Sequence, residues 1–202
     1  MSTPLDRLDL AVRRIRDHVG TRTARGVSHD DADDIVGTIE CDDAIGFAPL
    51  ALLNALDRHG ARAVVIGQVA GIMHGSQELT GDLDLLWSGA PSEAPRFAAA
   101  FADVEASLFD DDHLPLSLDA DAFALPKVLF HSAGASGDCC TPRLPWGTLD
   151  IVGLLNRAEA ATARTVTVHY ATLTDLVAMR RASGRPKDLR RADELARLAP
   201  PS

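Results

Sequence analysis

Apolar residues near the start of the chain recur every three or four positions, which predicts an amphipathic helix over residues 4–19. Its apolar face would carry Leu5, Leu8, Val12, Ile15 and Val19. Pro4 suits the first turn of such a helix, and Gly20 suits its end. Both ends of the predicted helix are therefore marked in the sequence.

The polar, acidic and aperiodic residues 20–44 predict a linker or loop. Helical spacing resumes near Phe47 and stops at Gly60. The apolar positions of this second helix are Leu50, Leu53 and Leu56. We therefore divide the chain into an N-terminal helix with an acidic linker, residues 1–44, and a main domain, residues 45–202.

The hydrophobic period changes after the second helix. Residues 63–67, AVVIG, form a short β-branched run that ends in glycine, which predicts a buried strand. Residues 68–75 can form a short helix. The stretch DLDLLW, residues 82–87, then alternates polar and apolar positions as a strand does, so Asp82 and Asp84 would share one face.

A further helix is predicted to open at Ser92. Its apolar face would carry Phe97, Phe101, Val104 and Leu108. Ala122–Phe130 and Thr148–Leu155 are predicted as strands, and the alternating run TVTVHY, residues 165–170, as one more.

Helix signals return at the C-terminus, where Thr172 can cap one helix and Ser183-Gly184 can end it. Pro186 suits the first turn of a last helix. Its apolar positions would be Leu189, Ala192, Leu195 and Leu198. The alternation of strand and helix along the chain predicts the α/β or α+β class.

The composition is that of a soluble globular protein, with 46% hydrophobic and 24% charged residues among 202. No apolar run approaches the roughly 20 residues of a membrane span, and MSTPLDRLDL lacks the regions of a signal peptide. We therefore expect a cytoplasmic protein without a membrane partner. The odd count of three cysteines, of which Cys139 and Cys140 are adjacent, predicts free thiols rather than a disulfide framework or a zinc site.

The net charge of −9 argues against a protein whose whole surface binds nucleic acid. The charge is unevenly distributed, however, because residues 29–43 are acidic and the C-terminal region is basic. The basic residues there are Arg180, Arg181, Arg185, Lys187, Arg190, Arg191 and Arg197. A locally basic wall can therefore face an acidic substrate on a chain that is acidic overall.

Asp82 and Asp84 are the first candidates for chemistry. Side chains two apart on a strand share a face with Cα atoms roughly 6–7 Å apart. Carboxylates that close raise each other's pKa unless a cation lies between them, and oxygen ligands suit Mg²⁺ or Mn²⁺ with phosphate oxygens completing the shell. The alternative is an edge strand that carries two solvated aspartates.

The context of the pair favours the metal interpretation. A strand, Gly67 and a short helix precede it, and the free amides and positive dipole at a helix start suit a phosphate group. Taken together, these parts predict a site for phosphoryl or nucleotidyl transfer.

The string VVIGQVAGIMHGSQELTGDLDLL, residues 64–86, resembles the signature of minimal nucleotidyltransferases of the polymerase-β superfamily, particularly the AbiEii toxin-like branch. Two later strings, GTLDIVGLL at 147–155 and LTDLVAMRRASGRPKDLRRADEL at 173–195, resemble the same family. The resemblance implies a polymerase-β-type fold, a mixed sheet flanked by helices with helices at both termini. It also implies Mg²⁺ or Mn²⁺ as cofactor and an NTP as substrate.

By that resemblance, Asp82 and Asp84 would bind the catalytic metals. Asp150, on a later strand, would join them and help to deprotonate an acceptor hydroxyl. The acceptor would be a tRNA end, a protein hydroxyl or a small molecule. The toxin-like branch also implies an antitoxin as a candidate partner.

The resemblance implies a nucleotide site as well. Gly67 would approach the phosphates, with Gln68 and Thr80 at neighbouring family positions. Arg185 and Lys187, at the start of the last helix, would stabilise the triphosphate or the leaving pyrophosphate. The alternative for these two cations is an ordinary solvated helix start.

Two residues depart from the family pattern. Gln68 stands where relatives have a second glycine or a serine, so its side chain would crowd a nucleotide. Glu78 stands where relatives commonly have arginine, and a carboxylate there would repel phosphate. His74 matches the family in place, but a packed, hydrogen-bonded histidine is at least an equal interpretation.

The sequence thus leaves three functions open. The first is a metal-dependent nucleotidyltransferase that moves NMP from an NTP to an acceptor hydroxyl. The second is a non-catalytic relative that binds nucleotides or proteins, which Gln68 and Glu78 motivate. The third is a metal-dependent hydrolase, which would need the carboxylates but not Arg185 and Lys187.

Overall fold

The computed structural model describes residues 2–27 and 38–198. Within these residues the helices are α1 Pro4–Val19, α2 Leu50–Arg58, α3 Gly67–His74, α4 Ala94–Ala102, α5 Ile151–Arg157, α6 Leu173–Ser183 and α7 Pro186–Leu198. Single 3-10 turns occupy Thr38–Glu40, Asp42–Ala44 and Ala122–Ala124.

The strands of the described residues form one sheet. They are β1 Val64–Val65, β2 Leu85–Leu86, β3 Ser107–Phe109, β4 Pro115–Leu116, β5 Lys127–His131, β6 Ser136–Cys140, β7 Glu159–Ala163 and β8 Val166–Tyr170. Their order is β4-β3-β5-β6-β2-β1-β8-β7. The pairs β1/β8 and β2/β6 are parallel and the others antiparallel, so the chain has a mixed sheet with helices packed on it, as the predicted class requires.

Helix α1 confirms the prediction for residues 4–19. All five predicted apolar positions are buried and belong to the hydrophobic core that also contains the central strands. Thr3 and Asp6 close the first turn reciprocally, each side chain accepting the other's backbone N–H. The Arg7 guanidinium donates to the Met73 carbonyl at 2.6 Å and so joins α1 to α3.

The predicted linker, residues 20–44, is described only in part, because residues 28–37 lie outside the described residues. Its two described parts bind each other. The Arg22 guanidinium donates to the carbonyls of Ile39 and Cys41, at 2.9 and 2.6 Å. The Asp42 carboxylate accepts the backbone N–H groups of residues 25–27. Cys41 itself is buried.

Four predicted elements agree with the structure, namely α2, β1, α3 and β8. The C-terminal helices do so as well. Thr172 caps α6 by accepting the Asp175 backbone N–H, and Gly184 ends α6 with a φ of +68°. Pro186 begins α7 as predicted.

The helix predicted from Ser92 extended too far along the chain, because its apolar face was expected to reach Leu108. The helix ends at Ala102, and Glu105 then takes a φ of +52°, which turns the chain away from the helix axis. Leu108 therefore lies on β3, where it pairs with Leu116 and Phe130.

Two predicted strands need correction. Within Ala122–Phe130 the first part is a 3-10 turn, and the strand begins only at Lys127. Thr148–Leu155 is not a strand, because Asp150 caps α5 by accepting the Gly153 backbone N–H at 2.9 Å. An aspartate that satisfies a free amide in this way favours a helix start over a strand.

The predicted strand at 82–87 is shorter than expected, with sheet pairing confined to Leu85–Leu86. Residues that precede β2 nevertheless make backbone hydrogen bonds to the neighbouring strands. The Ile66 N–H donates to the Asp84 carbonyl at 2.9 Å, and the Leu83 N–H donates to the Ser136 carbonyl at 2.8 Å. The segment that carries the two aspartates is therefore fixed to the neighbouring strands.

The last helix α7 buries only part of the predicted face: Ala192 and Leu195 are buried as expected. Leu189 and Leu198 are exposed, at 44% and 40%. The buried positions are Lys187, Asp188, Arg191, Ala192 and Leu195. Hydrophobic spacing alone missed the other three buried positions because charged residues occupy them. No helix within residues 2–27 and 38–198 has the length and apolar character to cross a membrane.

Candidate functional site

A cleft of about 690 Å³ lies beside the central strands β1, β2 and β6. Its volume is in the range of small-molecule sites. One side carries Gly67, Asp82, Asp84, Asp138 and Cys140, the loop 145–149 forms another, and α6 and the start of α7 complete it. The cleft therefore joins the centre of the sheet to the C-terminal helices.

Three carboxylates line this cleft: Asp82, Asp84 and Asp138. The parallel register pairs Leu85 with Cys139, so Asp138 on β6 stands beside Asp84, which directly precedes β2. Neighbouring strands lie about 4.8 Å apart, which brings these two carboxylates close together. The predicted pairing of Asp82 with Asp84 thus gains a third member from β6.

The environment of Asp84 is unfavourable for its negative charge. Burial raises the pKa of Asp84 well above its usual range, and the carboxylates of Asp82 and Asp138 raise it further, whereas the guanidinium groups of Arg180 and Arg185 lower it. A group with such a pKa in a cleft is a candidate for a functional site. A cation bound among the carboxylates would relieve the repulsion.

Asp150 does not join this group. It is exposed at the start of α5, where it caps the helix and accepts from the Arg157 guanidinium at 3.1 Å. Asp150 is also absent from the residues that line the cleft. The structure therefore places Asp138, and not Asp150, in the cleft with Asp82 and Asp84.

Asp138 was missed because its strand was not recognised. The stretch SGDCC has neither strict alternation nor a β-branched residue, and Gly137 falls inside it. A Cβ on Gly137 would lie 2.1 Å from the Leu83 carbonyl oxygen, so glycine is needed for the close approach of β6 to residue 83. In the sequence, the aspartate that directly follows Gly137 was the one signal that could have made Asp138 a candidate site residue.

Gly67 is held between two constraints. Its φ is +66°, and a Cβ there would lie 2.0 Å from the Asp84 Oδ2 atom. The Asp84 carboxylate therefore packs directly against the first residue of α3. The group that closely approaches Gly67 is therefore the Asp84 carboxylate, and the position admits no side chain.

Thr80 lies behind the carboxylates rather than in the cleft. It is fully buried, and its hydroxyl donates to Asp82 Oδ1. This hydrogen bond orients the Asp82 side chain. Thr80 therefore acts on the site through Asp82, which differs from the nucleotide contact that the resemblance implied.

Neither departure from the family pattern points into the cleft. The buried Gln68 side chain donates to Ser76 Oγ and to the Glu78 carbonyl, both at 2.9 Å. The Glu78 carboxylate accepts from Arg191 Nε at 2.9 Å and from its Nη2 at 2.6 Å. The reasons for expecting Gln68 to crowd a nucleotide and Glu78 to repel one are therefore removed.

Two arginines bring positive charge to the cleft, Arg180 from α6 and Arg185 just before α7. Both donate to Asp188, a fully buried carboxylate that also accepts from Ser183 Oγ at 2.7 Å. Burial by itself raises the pKa of Asp188, but the hydrogen bonds from Ser183, Arg185 and Arg180 outweigh it and lower the pKa to about 2. Asp188 thus remains ionised and holds both guanidinium groups at the start of α7.

Lys187 takes a different position from its neighbour Arg185. It is only 2% exposed and lies one turn before Arg191 on the buried side of α7. It does not line the cleft. Arg180 lines the cleft where the sequence had suggested Lys187, and its hydrogen bonds to Gln68 and Asp188 could not be read from helical spacing.

His74 is a packed histidine. Its Nε2 atom lies 2.8 Å from the Ala171 carbonyl oxygen, and its ring meets the Tyr170 ring edge-on with 5.0 Å between centroids. The cysteines are free thiols, as predicted, and burial raises the pKa of Cys139 and Cys140. These residues therefore belong to the scaffold.

The donor set of the cleft suits a hard divalent cation. Mg²⁺ is commonly bound by one or two carboxylates, with substrate phosphates and water completing its shell. Asp82, Asp84 and Asp138 offer oxygen ligands of this kind. Across residues 2–27 and 38–198, no group of three or more His, Cys, Asp or Glu side chains is arranged so that it could hold a metal ion, so these carboxylates would need ligands from substrate and water.

No protein-family model matches the chain, and no curated protein matches it. The residues of the cleft therefore carry the functional evidence.

Proposed function

We propose that the protein is a metal-dependent nucleotidyltransferase that transfers a nucleoside monophosphate from an NTP to an acceptor hydroxyl. The main support is that one cleft contains three carboxylates, Asp82, Asp84 and Asp138, together with the guanidinium groups of Arg180 and Arg185. Carboxylates that bind metal and cations that meet phosphate are the two parts that nucleotidyl transfer needs.

Asp82 and Asp84 would hold Mg²⁺ or Mn²⁺, and Asp138 would complete the carboxylate group. The bound metal supplies charge neutralisation on the phosphate oxygens. Thr80 keeps the Asp82 carboxylate in place through its hydroxyl. Gly67 leaves the space that the Asp84 carboxylate fills.

In the proposed reaction the acceptor oxygen attacks the α-phosphorus, and the bond from that phosphorus to the α,β-bridging oxygen breaks. A carboxylate oxygen of Asp138 takes the acceptor's proton. Pyrophosphate leaves with the electron pair, and Arg180 and Arg185 stabilise its charge. Asp188 holds the two guanidinium groups ready, so they need no rearrangement when the charge develops.

The order β1, α3, β2, with carboxylates at the start of β2 and on the adjacent β6, supports a polymerase-β-type nucleotidyltransferase fold. We extend the proposal to the toxin-like branch that the motifs resemble. The acceptor would then be a tRNA end or a protein hydroxyl, with a small molecule as the rival, and an antitoxin would be the partner.

The test is transfer of label from α-phosphate-labelled NTPs, with Mg²⁺ or Mn²⁺, to RNA, protein and aminoglycoside acceptors. We expect Asp82→Asn, Asp84→Asn and Asp138→Asn each to reduce transfer by at least about 100-fold, since each removes a metal-binding or proton-accepting carboxylate. Asp150→Asn is the matched control, because asparagine caps a helix as well as aspartate does.

Transfer that persists in Asp82→Asn, or no transfer to any of the three acceptor classes, would contradict the proposal. Loss of transfer in Asp150→Asn but not in Asp138→Asn would return the third carboxylate to the position that the sequence suggested. Binding of Mg²⁺ and NTP without transfer would favour the non-catalytic relative.

A further inference from the structure

The loop between β6 and α5 contributes an aromatic wall to the cleft. Residues 145–149 line it, and Trp146 is its one aromatic side chain. The other tryptophan, Trp87, is 1% exposed and packs against Phe97 in the core. Trp146 is only partly buried. Because Trp146 also lines the cleft, part of its side chain is accessible there.

Trp146 is held in place by its own loop. Its indole Nε1 donates to the Thr141 carbonyl at 2.8 Å, and its backbone N–H donates to the Leu144 carbonyl at 2.9 Å. Because the indole N–H is already occupied, the side chain offers a ligand its π-face rather than a hydrogen-bond donor. A fixed aromatic ring binds a flat partner at low entropic cost.

The cleft-lining positions of α6 change character along the helix. Leu176 and Met179 come first, Arg180 follows, and Ser183 is last. From Leu176 to Ser183 the helix rises about 10 Å. A nucleoside triphosphate has a length of the same order from its base to its last phosphate. Helix α6 therefore presents apolar surface to one end of such a ligand and positive charge to the other.

We propose that the indole of Trp146 is the stacking platform for the base of the bound nucleoside triphosphate. This inference rests on the proposed function, which supplies the triphosphate at Arg180 and Arg185. Stacking on an aromatic face accepts every base, because every base has a π-face. The site would therefore favour purines over pyrimidines through the larger stacked area rather than select one base by its edge.

The test compares two probes, Mg²⁺·ATP and Mg²⁺·tripolyphosphate, by calorimetry on the full chain. Tripolyphosphate carries the charge without the base. We expect Trp146→Ala to weaken ATP binding by about 5- to 100-fold, the usual effect of removing a stacking ring, and to leave tripolyphosphate binding within about twofold. Trp146→Phe should retain most of the ATP affinity. Unchanged tripolyphosphate binding also shows that the variant is folded.

Leu144→Ala is the matched control, since Leu144 lies in the same loop but does not line the cleft. It should leave ATP and tripolyphosphate binding unchanged. A second readout is fluorescence, because ATP should protect Trp146 from acrylamide quenching whereas tripolyphosphate should not. In Trp146→Phe the remaining tryptophan is the buried Trp87, and ATP should then have no effect on quenching.

The inference is overturned if Trp146→Ala weakens both probes equally, if it weakens neither, or if Leu144→Ala reproduces the ATP-selective loss. In each of these cases tripolyphosphate binding to the unaltered protein would still support the phosphate site. If the unaltered protein binds neither probe with Mg²⁺, the proposed function fails and the stacking platform fails with it.

Discussion

Gly67 and Asp84 depend on each other at the level of single atoms. The Asp84 carboxylate occupies the space where any side chain at residue 67 would begin, 2.0 Å from the position of its Cβ. The backbone at Gly67 is also in the left-handed region that glycine favours. A substitution here therefore combines backbone strain with displacement of a carboxylate.

Gly67→Ala should abolish Mg²⁺·ATP binding, because Asp84 must leave its position. It should also destabilise the fold by about 1–3 kcal/mol through backbone strain. Calorimetry and urea unfolding measure the two effects. Gly20→Ala is the control, with a φ of +56° and open space around its Cβ, and should lower stability without affecting binding. Equal ATP binding by both variants would show that Asp84 is not needed in its observed place.

Glu78, unlike Asp84, is a charged residue near the cleft whose carboxylate points away from the cleft. Because its carboxylate binds Arg191, Glu78→Gln should leave Mg²⁺·ATP affinity within about twofold. If the carboxylate repelled phosphate instead, the substitution would strengthen binding severalfold. Calorimetry at low and high ionic strength distinguishes the two outcomes, since only a repulsive effect would shrink with added salt.

At the scale of elements, Asp188 joins α6 to α7 through Arg180, Ser183 and Arg185. Its pKa falls from 3.8 to about 2 on folding. A lowered folded-state pKa stabilises the protein above the unfolded pKa, and this contribution is lost as the pH falls toward the folded pKa. The size of the shift corresponds to about 2 kcal/mol.

We therefore expect Asp188→Asn to be less stable than the unaltered protein at pH 6, by about 2 kcal/mol or more, and the difference to shrink as the pH is lowered to about 3. Urea unfolding at a series of pH values measures it. A difference that is independent of pH would mean that Asp188 is not ionised in the folded protein.

At the scale of the whole molecule, α1 shares its core with the sheet. Leu8 is completely buried, whereas Leu10 on the same helix is 57% exposed. Leu8→Ala should cost about 2–5 kcal/mol of unfolding free energy, and Leu10→Ala should cost under about 0.5 kcal/mol. Urea unfolding in a Trp146→Phe background, where the buried Trp87 is the remaining tryptophan, reports the effect by fluorescence.

The unfolding curve of the same experiment also tests whether α1 belongs to the main core. If it does, Leu8→Ala shifts one cooperative transition that Trp87 reports. A transition at Trp87 that stays unchanged while helical content is lost separately would show that α1 folds as an independent unit.

Much of the fold was predictable because it depends on local signals. Thr3 and Pro4 mark the start of α1, the change of period at residues 63–67 marks β1, and Gly184 marks the end of α6. Such signals act within one turn or one strand. The two predicted strands that needed correction lie where local patterns are ambiguous, above all at Asp150, whose side chain decides the start of α5 by a single hydrogen bond.

By itself the sequence determined the short-range half of the site: the glycine at the start of α3 and two aspartates two residues apart. Only the tertiary structure decided which distant residues complete it. Asp138 stands beside Asp84 through the pairing of β6 with β2, and Arg180 faces the cleft because the buried Asp188 holds it there. Strand pairing and buried ion pairs join residues far apart in the chain, and hydrophobic periodicity carries no information about such partners.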